Sequence, residues 1–460
     1  MKLWNYIKKK MLKKPEQIIC EGDEKMSYKD LIEFAENFSE DIRGEKCCLI
    51  MCDSELASAR ALLACFAAEV TAVPVSVRYG YKHCEKILDM ICPTAIITDD
   101  RGEVKVEKMY NSSYREPVCS PALIMCTSGT TGTPKGAMLT EDNILANLKD
   151  ISSYFDIDDT DYMLIVRSLH HCAVLTGEFL LGVTKGAKIQ FYSREFNPKV
   201  VMDIINRCAI TVYGGTPTQL SILSRYNHKY SGCILRTLCI SGECMSKETA
   251  EKIMAGFMSV CNIYHVYGLT EASPRISYLP PEMFYKYPDC VGIPLESVKI
   301  KILNAECKET AIGEEGILWV KGDNIMAGYY NSPKETERVL RDGWLCTNDI
   351  AVITPEGLLK IKGRSDDLII RAGMNIYPAE IENTLKRDGR VREALAYKVE
   401  TTHMGTQIGL KIVGDFRSID EVKQLCGKLL PKYQMPMVME ILDELPKNGS
   451  GKVIRKDGII

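Results

Sequence analysis

Apolar segments of strand length alternate with segments of helix length along most of this chain, and that alternation narrows the possible folds more than any other feature. KCCLIMC at 46–52 reads as a buried strand. Ser54 follows as a helix N-cap, because its side-chain oxygen can accept an N–H left over in the first turn. ELASARALLACFAAE then continues as a helix rich in Ala and Leu. TAVPVSV at 71–77 is the next strand, and ILDMICPTAIITDD repeats the theme with a helix and a β-branched strand at 95–98. VMDIINRCAITVYGG and SKETAEKIMAGFMSVCNIYHVYG each pair an amphipathic helix with a following strand. Strands alternating with helices predict an α/β fold built on doubly wound, mostly parallel sheets.

The texture changes from about residue 290, where VGIPLESVKIKILNAE, GILWVKGD and GLLKIKGR read as short strands between Gly, Asn and charged turns. They predict a smaller β-rich subdomain on the main body. After Gly363, AEIENTLKRDG, EALAYKVE, IGLKIVGD and IDEVKQLCGKLL mix helix and strand in the manner of a small α+β domain. With 460 residues the chain is too long for one ordinary core. The expected organisation is a large N-terminal domain over 1–363 and a small mobile C-terminal domain over 364–460. No low-complexity linker separates them, so the boundary is expected to be a tight hinge.

Composition removes several classes of function. A formal net charge of −3 gives no support for a nucleic-acid binder. The 19 cysteines include no paired C-x-x-C clusters, and Cys47, Cys48, Cys65 and Cys239 sit in apolar runs, so they read as reduced thiols of a cytoplasmic protein. MKLWNYIKKKMLKKPEQ is basic but leads into no signal-peptide core, and it reads as an amphipathic surface helix. No run of apolar residues is long enough to predict an integral membrane segment.

The chemistry concentrates in LIMCTSGTTGTPKGAML, residues 123–139. An apolar strand leads into Thr127, Ser128, Gly129, Thr130, Thr131, Gly132, Thr133, Pro134 and Lys135. Small residues let backbone N–H groups approach a polyphosphate, the hydroxyls add donors, and Lys135 adds a cation. The segment is not a Walker loop, because Pro precedes the Lys and Gly follows it. Further along lie SGECMS (241–246), VYGLTEASP (266–274), GWLCTNDIAVI (343–353), GRSDDLIIRAGMNIYPAEIE (363–382) and LPKNGSGKVIRKDG (445–458).

Taken in order, these segments resemble the signatures of the adenylate-forming superfamily, which includes acyl-CoA synthetases, luciferases and the adenylation domains of peptide synthetases. The resemblance covers nearly all of the chain. It implies that Thr127 to Gly132, with Lys135, cradle the phosphates of ATP. It also implies that Gly242 and Glu243 lie beside adenine, that Tyr267 and Gly268 continue that pocket with the ring stacked on the base, and that Thr270 bonds the α-phosphate. Glu271 would hold Mg²⁺, a hard cation that prefers carboxylate and phosphate oxygens. Asp349 would grip the ribose, with Asn348 tolerating the positive backbone dihedral that relatives give to Gly, and Arg364 would be a second ribose and phosphate ligand. Asp366 matches the hinge, Gly373 the passage for a pantetheine thiol, and Lys452 the catalytic lysine. Many relatives carry Lys where Ile370 stands.

The implied activity is ATP-dependent activation of a carboxylic acid to an acyl-adenylate, followed by thioester formation with CoA. A stand-alone adenylation enzyme loading the phosphopantetheine of an acyl carrier protein is the alternative, and a homodimer is compatible with either. In SLHHCAVLTGEFLLG (168–182), His171 aligns best with the gate of the acyl pocket and His170 competes with it. Amino-acid-activating relatives carry an Asp soon after this point, whereas Cys172 and Ala173 follow here, which disfavours an α-amino acid. Glu178 is the residue available to a more distant amine. Tyr213, Gly214, Gly215 and Thr216 would border the acyl chain and suit a fatty or aryl acid.

Overall fold

The computed structural model describes residues 2–110, 112–128, 134–227, 234–257, 262–371, 374–401 and 405–446. The chain divides into two compact units, one of residues 1–301 with 319–347, the other of 302–318 with 348–460.

Two sheets form the first unit. In the nine-stranded sheet, Ile18–Glu21, Lys188–Phe191, Tyr162–Ile165, Val212–Gly215, Thr237–Ile240 and Asn262–Gly268 lie side by side and parallel. Antiparallel strands finish both edges, Glu24–Ser27 on one and Arg275–Leu279 with Ile293–Pro294 on the other. The seven-stranded sheet has a parallel centre of Leu123–Ser128, Thr71–Pro74, Cys47–Met51 and Ala95–Asp100. The strands forecast at 46–52, 71–77 and 95–98 all form, with Val75 to Val77 lying beyond the second strand and the third running on to Asp100.

Helix Glu55–Ala68 shows why the α/β pattern folds as it does. Ser54 caps it, its Oγ accepting from Ala57 N at 3.0 Å. The helix is buried on all faces and packs on strands of both sheets, which an all-round apolar helix must do. The opening helix Lys2–Met11 buries Leu3, Trp4, Ile7 and Met11 along one stripe and leaves its lysines outward.

In the second unit, Val391–Thr401, Gly405–Gly414 and Val438–Ile441 make a three-stranded sheet. Helices Pro378–Leu385 and Ile419–Leu429 close its core through Ile381, Leu385, Val422 and Leu425 against Ala396, Leu410 and Ile412. This is the small α+β body expected of the C-terminal segment. Among the described residues no helix is long and apolar enough to cross a membrane, and no disulfide links the described cysteines.

Candidate active site

In the first unit the site residues gather where parallel strands of the nine-stranded sheet end. Gly214 and Gly215 close the strand Val212–Gly215, and Thr216 follows and caps the helix Pro217–Asn227. Thr216 N donates to Gln219 Oε1 at 3.2 Å, and Thr216 Oγ1 accepts from Gln219 N at 3.3 Å. Ser241 and Gly242 follow the next strand. Gly242 holds φ at +96°, a conformation that glycine adopts without strain. A Cβ there would lie 3.7 Å from Thr216 and 3.8 Å from the Arg167 guanidinium, so the two strand ends adjoin. Glu243 accepts from Thr218 N at 3.3 Å and from its hydroxyl at 2.7 Å, which satisfies the start of the same helix.

Tyr267 and Gly268 end the strand Asn262–Gly268, at a register shift. Gly268 is required there, because a Cβ would meet the Pro274 carbonyl oxygen at 1.9 Å. The chain then turns through Thr270–Ala272, which presents Glu271. Tyr329 donates its hydroxyl to Glu271 Oε1 at 2.7 Å. On the hairpin of Leu123–Ser128 and Pro134–Leu139, Thr127 lies opposite Lys135 and its Oγ1 donates to the Lys135 carbonyl at 3.3 Å, while Ser128 lies opposite Pro134. The Lys135 ammonium sits 5.3 Å from the centre of the same Tyr329 ring and 2.5 Å from Glu335 Oε2. That lysine holds the Glu335 carboxyl below the usual carboxylate range. Tyr329 therefore bridges a cation from one sheet to a carboxylate at the end of the other.

His171 opens a short helix, its carbonyl accepting from Val174 N and Leu175 N at 2.9 Å each. Its ring centre lies 3.9 Å from that of His170. Burial, then the charge of Arg167, lowers its pKa to about 4, so it is a neutral imidazole at pH 7. Tyr213 is fully buried. The space on the Cβ side of Gly214 is occupied by the Glu178 carboxylate, and that of Gly215 by Leu220 and the Tyr213 ring. Glu178 pairs with Arg167, which removes it as the seat of an amine.

In the second unit, Asp349 and Arg364 are direct cross-strand neighbours, Nη1 to Oδ1 3.4 Å. Asn348 takes φ of +57°, as its place in the Thr-Asn-Asp triplet led us to expect. Asp366 is exposed in the turn Ser365–Asp367. Arg371 binds the carbonyls of Tyr433 and Met435 at 3.2 and 3.0 Å. Gly129, Thr130, Thr131, Gly132, Gly373 and Lys452 lie outside the described residues.

Reading the sequence did not find Tyr329, Glu335, Arg167 or Arg275. Tyr329 lies in GILWVKGDNIMAGYYN, of which only GILWVKGD reads from the sequence as a short strand.

Open α/β sheets take ligands in the crevice beyond the carboxyl ends of their strands, so this geometry is that of a nucleotide-binding class of fold. The chain belongs to the AMP-binding enzyme family, which matches residues 7–330. It is 32% identical over 343 residues to a long-chain-fatty-acid–CoA ligase of Haemophilus influenzae, covering 73% of this chain and 61% of that protein. It is 30% identical over 339 residues to a feruloyl-CoA synthase of an Amycolatopsis species, covering 72% of this chain and 68% of the relative. The chain thus spans about three fifths of the length of the fatty-acid ligases it matches, 60 to 63% in those of Haemophilus, Yersinia and Escherichia. The solved o-succinylbenzoate coenzyme A synthetase of Bacillus subtilis, in complex with its acyl-adenylate intermediate, aligns with a TM-score of 0.86 at 26% identity. That alignment covers 98% of this chain and 97% of the other.

Proposed function

We propose that the protein activates a fatty or aryl carboxylic acid with ATP and Mg²⁺ and passes the acyl group to the thiol of CoA. The bridge of Lys135, Tyr329 and Glu271 is the observation that carries this reading. It brings together a cation suited to phosphate oxygens and a carboxylate suited to Mg²⁺. The family match and the likeness to CoA ligases support the same activity.

A carboxylate oxygen attacks the α-phosphorus of ATP. The bond to the β-phosphate oxygen breaks, and pyrophosphate leaves. Both reactants are anions, so the barrier is set by repulsion and orientation, and positioned cations supply most of the rate. Lys135 faces the phosphates, and Thr127, Ser128 and Thr270 add hydroxyl donors. Glu271 fits a metal that needs only one or two carboxylates beside the phosphates, and the ion supplies charge neutralisation when bound. Gly242, Glu243, Tyr267 and Gly268 take the base, Asp349 and Arg364 the ribose, and Lys452 the charge growing between carboxylate and phosphorus. The neutral His171 borders the acid with Tyr213, Gly214, Gly215 and Thr216. In the second step a thiolate attacks the acyl carbon and AMP leaves. Asp366 is the hinge for the change of step, at the boundary of 1–363 and 364–460, and Gly373 lines the path of the thiol. The cysteine-rich apolar segments favour a cytoplasmic setting.

A pyrophosphate-exchange assay over fatty, aryl and α-amino acids tests the reading. Exchange is expected with non-amino acids and without CoA. If only α-amino acids support it, the reading of Cys172 and Ala173 is wrong. Lys452→Ala should slow exchange by at least about 100-fold, on the scale of losing one preorganised charge partner. A wild-type rate would remove Lys452 from its assigned role.

A further inference from the structure

Two buried charged side chains, Glu178 and Arg275, gather with the partly buried Arg167 in the first unit, and the proposed chemistry uses none of them. Arg167 follows the strand Tyr162–Ile165, Glu178 lies in the π-helical turn Leu175–Leu180, and Arg275 opens the strand Arg275–Leu279. Glu178 is 4% exposed and Arg275 3%. Arg167 donates through Nη2 to Glu178 Oε1 and through Nη1 to Ser241 Oγ at 3.1 Å. Among the described residues Arg275 makes no direct ion pair, although the charge of Glu178 acts on it as well as on Arg167. Arg275 Nη2 lies 4.0 Å from Cys239 Sγ, and its Nε finds no acceptor there.

The cluster abuts the wall assigned to the acyl group. A Cβ on Gly214 would lie 2.6 Å from Glu178 Oε1, and one on Gly177 would lie 2.8 Å from Arg275 Nη2. Within the same group, the fully buried hydroxyl of Tyr213 and Arg167 Nε also lack a partner among the described residues.

Two guanidiniums against one carboxylate leave one net positive charge in the interior. An unbalanced buried ion is costly unless an opposite charge or hydrogen-bond acceptor meets it. The unmatched guanidinium N–H groups can only donate, and the Tyr213 hydroxyl can donate beside them, so the complementary ligand is an acceptor and an anion. A hydrocarbon tail offers neither property, and an amine has the wrong sign.

We propose that the acid substrate carries a second carboxylate on its tail and that Arg275 receives it, with Arg167 beside it as a second donor. Glu178 is then a positioning residue that holds Arg167. This inference rests on the acid-activating reading above and narrows its substrate class.

The test is pyrophosphate exchange by the full-length protein with acids matched in skeleton: hexanoate with adipate, decanoate with sebacate, and cinnamate with its para-carboxylate. The wild-type protein should prefer the dicarboxylate of at least one pair by about tenfold or more in kcat/KM, the scale of a hydrogen bond to a charged group. Arg275→Met should raise KM for that acid about tenfold or more while leaving its monocarboxylate partner unchanged, and Arg275→Lys should retain part of the preference. Equal or better use of the monocarboxylate in every pair overturns the proposal. So does an equal loss for both acids in a folded Arg275→Met protein, because the guanidinium would then serve the reacting carboxylate. If that variant melts at a markedly lower temperature, the wild-type comparison and Arg275→Lys decide the matter. Exchange confined to monocarboxylates rejects only this inference, whereas no exchange with any acid rejects the proposed function.

Discussion

Lys135 sits in the most recognisable loop of the sequence, yet its partners come from residues about two hundred positions away. Its ion pair with Glu335 has a consequence for nucleotide binding. A phosphate oxygen that engages the ammonium must share it with that carboxylate or displace it. Both side chains are partly exposed, so the pair itself is worth at most about 1 kcal/mol. Glu335→Gln is therefore expected to tighten ATP binding by up to about fivefold, measured by titration calorimetry. Weaker binding would show that Glu335 orients Lys135 for the phosphate and does not compete with it. Asn348 was legible at this scale, because a left-handed backbone position follows from residue type and its place in a triplet. The Glu178–Arg167 pair was not, because 11 residues of sequence separation through an irregular helical turn give no repeating pattern to read.

Among the elements, the segment carrying His170 and His171 is tied down from a distance. Glu55, in the first turn of the buried helix Glu55–Ala68, accepts from Leu169 N at 2.9 Å. Its burial raises its pKa, and the Leu169 N–H pulls it back down. Glu55→Ala should cost about 1–3 kcal/mol of stability, since it leaves a buried N–H without its acceptor. It should also raise KM for the acid more than it lowers kcat, as expected when a pocket wall loosens. Steady-state exchange kinetics with a urea titration check both, and an unchanged KM would separate this anchor from the acid pocket. The helix and its cap were readable from ELASARALLACFAAE after Ser54, because capping and propensity act over a few adjacent residues. The π-helical turn at Leu175–Leu180 was not, since no composition rule distinguishes it from an ordinary helix.

For the molecule as a whole, buried histidines set an acid limit on stability. Burial lowers His171 and His265 from the ordinary 6.5 to about 4, and pushes His170 well below its usual value. Between those values the unfolded chain binds protons that the folded chain refuses. Stability contributed by these residues is therefore intact above 6.5 and lost as pH falls from 6.5 towards about 4. Thermal melts should show a falling midpoint across that window, and a flat or rising midpoint would contradict it. The same shift predicts that His171 adds no inflection near neutral pH to the exchange rate.

The sequence alone determined the α/β class, the order of helix and strand, and the loops rich in Gly, Ser and Thr. Each of these depends on periodicity or residue type within a short window. Tertiary structure decided which loops meet. Tyr329 joins Lys135 to Glu271, and Arg275 lies buried in a cluster with the Arg167–Glu178 pair. Such contacts follow from the spatial order of the strands, in which neighbours such as Ile18–Glu21 and Lys188–Phe191 are far apart in the chain. Local sequence specifies which face of a strand is buried, but the identity of its neighbour emerges only when the whole sheet assembles.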